Sequence, residues 1–508
     1  MQTYAFKKHL ILPKPTMDDY RGDRERITDA LKPEKAEITL SAMQTLYPLL
    51  SQADYDITVT MCPGRSGMEI IRVEAGDTTG KLYGAALDIG STTLELELVD
   101  MITGSVLHNT GCVNAQTQFG LNILDRIIAV KEDRENLKTL QRLVTENINT
   151  LLQNACEAAS LEREEISALI IGGNTTMIHF LMGCDPWLVF QSPYAPVFFD
   201  PGIVSAKEIG VDLCCNVYCF PAVANYLGGD ITAGLLLTDL DTTERPSIFL
   251  DIGTNGELAL GCRDYLLVGA GAAGPALEGF GSKYGMRAET GAIRHLKMRR
   301  DGVFDLDVIG GGSPVGICGT GIFDLVAECF RWGIINGKGT VNPDAGDMVI
   351  QVWNEETLRM VPAIVYYRDD EKTLYFTEND IHEFIKCKAA AHTMVATLLD
   401  HCGLTMEDIG AIYLAGGFGT HIDLESAVTV GIYPDIDRKK LIILGNTSLA
   451  GAKKLLMDRT CFDRIHNFIT QATYLHFSEM EKFLENMVAA EFIPHTNIAL
   501  YPSVKRYV

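Results

Sequence analysis

The sequence predicts an α/β protein assembled from two similar halves, each opened by a β-hairpin. In residues 85–100, AALDIGSTTLELELVD, an apolar run ends at Asp88 and an alternating apolar–polar run resumes at Leu94. Strict alternation marks a half-buried strand, so the Gly-Ser-Thr-Thr between the runs reads as the hairpin turn. The pattern then recurs: residues 247–260, SIFLDIGTNGELAL, again give strand, Asp-x-Gly-Thr and alternating strand. Later buried runs, such as 168–171 and 411–414, end in glycine-rich turns that lead into helices. A unit repeated over so long an interval implies internal duplication.

Residues 1–83 differ from the rest and read as a small α+β module. Prolines 13 and 15 bias their neighbours toward extended chain. Residues 21–31 and 39–47 pattern as helices, with Pro33 and Pro48 just past their ends, and 55–61 and 68–74 as a strand pair. The first half, 84–245, follows its hairpin with apolar residues at helical spacing (Leu121, Leu124, Ile127, Ile128, then Leu140, Leu143, Val144, Ile148). These give one broken helix or two consecutive ones. The strand 168–171 turns through Gly172–Thr176 into a helix, and Gly228-Gly229-Asp230 opens another.

The second half, 246–508, carries glycine-rich loops at 269–276 and 310–313. A helix follows from 377, capped by Thr377-Glu378-Asn379-Asp380 and stopped at Gly403. The strand 411–414 ends in AGGFGT, and 441–444 ends in Gly445-Asn446-Thr447-Ser448, which caps a further helix.

A formal charge of −23 argues against nucleic acid or an anionic membrane as partner. The hydrophobic fraction of 47% and mean hydropathy of +0.10 supply real cores, yet no run is long and apolar enough to cross a bilayer. The N-terminus has no signal-peptide core. Thirteen cysteines, most of them inside apolar runs, read as free thiols of a cytoplasmic protein. The crowd at Cys214, Cys215 and Cys219 matches neither a zinc pair nor a ferredoxin run, so no iron–sulfur cluster is expected, and an apolar strand is the simpler reading.

The repeated turn suggests its chemistry. A tight turn rich in Gly, Ser and Thr aims N–H groups and hydroxyls at one point, which suits a phosphate. Gly90 and Gly253 admit close backbone approach. Asp88 and Asp251, at the strand ends, can hold a hydrated magnesium ion or orient an attacking water. Each turn could also be an ordinary β-turn, but finding it twice favours function. Asn174 to Thr176 are either a helix cap or part of the site, and the same holds for Asp230, with the cap the simpler reading.

Five ordered motifs narrow the reading: DIGTNGE (251–257), AGPALEG (273–279), GICGTGIFD (316–324), LAGGFGTHID (414–423) and GNTSLAGA (445–452). Together with the two hairpins they resemble the reductive activators of corrinoid proteins, within the superfamily of actin, sugar kinases and heat-shock ATPases. The resemblance implies two ribonuclease-H-like (actin-like ATPase) domains facing a nucleotide cleft, with 1–83 as linker and small middle domain. It implies ATP and magnesium as ligands, with the metal held through water by Asp88 and Asp251, the catalytic carboxylates. Gly90, Ser91, Thr92 and Thr93 would form the first phosphate loop, and Gly253, Thr254, Asn255 and Gly256 the second. Gly416, Gly417 and Phe418 would form the adenosine loop. The partner would be a corrinoid protein of a methyltransferase system. Many members begin with a ferredoxin domain that this sequence lacks, so a separate donor such as a ferredoxin is expected. Two other readings stay open, a small-molecule kinase using Asp230 or Glu278 as base, and a partner-binding switch without redox role.

Overall fold

The computed structural model describes residues 2–507 apart from Thr254, Ala273, Phe280, Glu356, Gly417, Phe418 and Thr420. The chain divides into two compact units, Met1–Leu237 with Thr447–Ala472, and Thr238–Asn446 with Thr473–Val508.

The first unit begins with a four-stranded sheet in the order Phe6–Ile11, Asp56–Gly64, Gly67–Ala75, Ala36–Ile38. Leu10, Ile57, Val59 and Ile70 on this sheet bury against Ile27 and Leu31 of the helix Asp23–Leu31. The helix expected at 39–47 is instead two short ones, Leu40–Met43 and Leu46–Gln52. Thr39 caps the first by accepting from the Ala42 N–H. Tyr47 leaves helical geometry, and Pro48 lies in the opening turn of the second helix, where a missing N–H costs nothing.

The main sheet of this unit has the order Val106–Val113, Thr93–Asp100, Tyr83–Ile89, Ile166–Gly173, Asn216–Cys219, Ile203–Ser205. Its first three strands form an antiparallel meander, and Tyr83–Ile89 then pairs in parallel with Ile166–Gly173. The hairpin closes with Ile89 opposite Leu94, and Leu87, Ile89, Leu94, Leu96 and Leu98 are fully buried, as the alternation requires.

The second unit repeats this plan. Its main sheet runs Leu441–Gly445, Ile412–Ala415, Ser247–Ile252, Asn255–Cys262, Tyr265–Ala272, Ala472–Tyr474. The meander again starts with the Asp-x-Gly hairpin, and Ser247–Ile252 is parallel to Ile412–Ala415. Both units therefore have the ribonuclease-H-like sheet that the resemblance implies. The helix Glu378–Cys402 starts at a capping box of Thr377 and Asp380 and stops at left-handed Gly403. Midway along it, buried Lys388 donates from Nζ to the carbonyls of Ala490 (2.6 Å), Phe492 (2.7 Å) and Pro494 (2.7 Å), tying the C-terminal segment down.

The sequence reading ran the second half unbroken from 246 to 508, whereas Thr447–Ala472 belongs with the first unit. The cause is close packing. A Cβ on Gly451 would lie 2.1 Å from the Ala233 carbonyl oxygen, and one on Gly84 would lie 2.8 Å from a Leu456 methyl. Among the described residues no helix is long and apolar enough to cross a membrane.

Candidate functional site

The first hairpin turn is fixed from behind. The Gly90 N–H donates to the Thr93 carbonyl at 2.9 Å, and a Cβ on Gly90 would stand 2.8 Å from that oxygen, so glycine is needed here. Three carbonyls of the turn are then taken up in succession. Asn114 Nδ2 donates to Gly90 O (2.9 Å), Arg126 Nη2 to Ser91 O (2.6 Å), and the Asn114 N–H to Thr92 O (2.9 Å). Among the described residues, the N–H groups of Ser91 and Thr92 have no protein acceptor. That arrangement suits an anion.

Other parts of the first unit gather near this turn. A Cβ on Gly172 would lie 2.2 Å from Ser448 Oγ, a buried hydroxyl with no hydrogen-bond partner among the described residues. A Cβ on Gly228 would lie 2.5 Å from Asn174 Cα, so the loops after two neighbouring strands touch. Asn174 is a helix cap: its Oδ1 accepts from the Met177 N–H at 3.0 Å, and the helix Thr175–Leu181 follows. Asp230 is not a cap. Gly228 holds that position, while Asp230 sits in the first turn of Gly229–Leu235 and accepts from the Ile231 N–H at 2.9 Å. Burial pushes the Asp230 carboxyl up to about 7, and the charge of Asp88 adds to the rise. The first hairpin therefore has a second carboxylate close to its strand-end aspartate.

The second hairpin is one residue shorter. Asp251 pairs with Glu257 where Asp88 pairs with Glu95, and the Gly253 N–H donates to the Asn255 carbonyl at 2.8 Å. A Cβ on Gly253 would lie 3.1 Å from Glu278 Oε1, so this turn also has a second carboxylate beside it. Gly416 adopts φ +87°, donates to Gly445 O at 3.0 Å, and passes so near Asp251 that a Cβ would lie 2.6 Å from Oδ1. Asp251, Gly253, Glu278 and Gly416 are thus brought together. Gly256 is accounted for by packing under Met394, where a Cβ would lie 2.2 Å from Cε. Thr254, Gly417 and Phe418 lie outside the described residues.

Sequence reading missed Asn114, Arg126 and Ser448. For Arg126 the helix face was misjudged. Leu121, Leu124 and Ile128 are exposed, while Arg126, Ile127 and Val130 are the buried residues of Ile123–Glu132. An arginine beside Ile127 and four residues before Val130 was the available signal. Of the cysteine crowd only Cys219 lies in the strand Asn216–Cys219; Cys214 and Cys215 stand in the bend just before it, with Cys214 exposed and burial pushing the Cys215 and Cys219 thiols up. Among the described residues, no three His, Cys, Asp or Glu side chains come together as metal ligands. The paired carboxylates at each turn still fit a magnesium ion that keeps its waters.

Comparison with known proteins gives a consistent result along the whole length. Residues 1–80 match the RACo linker region, 83–243 the RACo middle region, and 245–505 the C-terminal domain of RACo, the ASKHA domain. The corrinoid activation enzyme RamQ of Eubacterium limosum is 30% identical over 433 residues, covering 83% of this chain and 72% of RamQ. The [Co(II) methylated amine-specific corrinoid protein] reductase of Methanosarcina barkeri is 26% identical over 441 residues, covering 78% of this chain and 74% of that protein. The solved reductive activator for corrinoid, iron-sulfur protein superposes with a TM-score of 0.88 at 35% identity, covering 99% of this chain and 81% of the other.

Proposed function

The chain belongs to the RACo family, and from that premise we propose that it is an ATP-dependent reductive activator of a corrinoid protein. The observation that carries the reading is the end-to-end match with a reductive activator, 99% of this chain at a TM-score of 0.88. The two hairpins add chemical support, since each pairs a strand-end aspartate with a glycine turn.

In this reading Gly90, Ser91, Thr92 and Thr93, with Gly253, Thr254 and Asn255, contact the phosphates of ATP, and Gly416, Gly417 and Phe418 contact the adenosine. Asp88 and Asp251 are the groups that would hold magnesium through water, which supplies charge neutralisation for the phosphates. Asp88 and Asp251 also orient the attacking water. The protein acts in the cytoplasm on the corrinoid protein of a methyltransferase system. Reduction of oxidised cobalt is uphill, and each roughly 59 mV of unfavourable one-electron transfer costs a factor of about ten in equilibrium. ATP binding and hydrolysis offset that cost. The electron comes from a separate donor such as a ferredoxin, because four thiolates for a cluster are not expected on this chain.

A kinase of the same superfamily remains a second reading, because Asp230, held near neutrality beside Asp88, would suit a general base. Phosphate release separates the two. The purified chain with ATP and magnesium should release phosphate with no acceptor alcohol present, and a corrinoid protein should accelerate it. Turnover that requires a small hydroxyl substrate would favour the kinase.

A further inference from the structure

We propose that Arg126, together with Asn114, is a positioning residue for nucleotide phosphate: it fixes the first loop so that the N–H groups of Ser91 and Thr92 face the anion. The inference rests on the nucleotide reading above.

The geometry works through the peptide plane. In a planar trans peptide, the carbonyl of one residue and the N–H of the next point in opposite directions. Asn114 Nδ2 holds Gly90 O at 2.9 Å, which turns the Ser91 N–H away from Asn114. Arg126 Nη2 holds Ser91 O at 2.6 Å, which turns the Thr92 N–H away from Arg126. Those are the two amides that have no protein acceptor among the described residues. The loop is therefore set with its donors outward before any ligand arrives, which is what electrostatic preorganisation requires.

The choice of arginine adds a second argument. Asn114 shows that a neutral amide is enough to hold a carbonyl of this turn. Arg126 is fully buried, and its other acceptors are also neutral: Gly120 O at 3.0 Å from Nε, Leu121 O at 3.5 Å from Nη2 and Met177 Sδ at 3.7 Å from Nη1. Among the described residues it forms no ion pair, and the carboxylate that steadies its charge is that of exposed Asp125. Burial draws it down only to about 10, so it stays charged at neutral pH. A buried cation without a buried counter-ion is costly. An anion on the loop directly above it would offset that cost.

Steady-state ATP hydrolysis by the full chain tests this, with melting curves taken with and without magnesium ATP. Arg126→Met should lower kcat at least about tenfold and raise KM as well, because the amide donors serve the phosphates in the bound ground state and more strongly in the transition state. Arg126→Lys, which keeps the charge but cannot span both carbonyls, should recover part of kcat. Asn114→Asp retains the acceptor for the Gln116 N–H and sets a carboxylate oxygen against Gly90 O, so it should lower kcat in a folded protein. The rise in melting temperature caused by ATP should shrink in all three variants. Lower melting temperatures with kcat and the ATP-induced rise unchanged would overturn the inference. A wild-type chain that neither hydrolyses ATP nor is stabilised by it would instead overturn the nucleotide reading, and this inference with it.

Discussion

Asp88 and Asp251 sit at the ends of equivalent strands, each opposite a glutamate of its own hairpin. If each orients metal or water at the transferring phosphate, Asp88→Ala and Asp251→Ala should each cut ATP hydrolysis by about a hundredfold or more while the chain stays folded. Asp230 makes a different prediction. Its folded-state pKa of about 7 lies above the ordinary 3.8, so folding favours the protonated form. Stability is therefore lost as pH rises from about 3.8 to about 7, and the loss is level above that. Asp230→Asn should raise the melting temperature at pH 8 and bring little gain at pH 4. Equal gains at both would show that the carboxylate is not held near neutrality. The placement of Asp88 and Asp251 at the ends of matching strands was legible because the hairpin repeats. Asp230 stayed open in the sequence between a helix cap and an acidic group at the site, with the cap favoured because Gly-Gly-Asp before a helix is ordinary capping sequence. Only three-dimensional burial distinguishes N-cap from first turn.

At the level of elements, most hairpins and long helices were legible because alternation and helical spacing are local signals. The helix at 39–47 was misread because Pro48 looked like a stop. It lies instead in the opening turn of the next helix, Leu46–Gln52. The buried face of Ile123–Glu132 was misread because an arginine is an unusual core residue, and nothing local says that the Gly90–Thr92 turn needs donors from that helix. Lys388 is a similar case, a charge inside an apolar pattern whose partners lie about a hundred residues further along the chain. An ammonium has three N–H donors, and here they meet three carbonyls. Lys388→Met should destabilise the second unit by roughly 3 kcal/mol, since three carbonyls lose their donor, two of them in fully buried bonds. Urea melts, with proteolysis directed at 490–508, would check this. An unchanged midpoint would mean that water or another donor replaces the lysine.

For the molecule as a whole, the duplication was the most legible feature, because two copies of one hairpin survive in the linear sequence. The return of Thr447–Ala472 to the first unit was not legible, since it depends on Gly451 and Gly84 packing against residues far off in sequence. The central claim is that ATP on this chain drives an electron onto a partner's cobalt. The direct measurement is anoxic visible spectroscopy of an oxidised corrinoid protein with titanium(III) citrate, in the presence or absence of this chain and of ATP. The account predicts that reduced cobalt accumulates only when both are present, and that the Asp88→Ala chain does not replace the wild type. Cobalt reduction at the same rate and extent without ATP, or without the chain, would contradict it.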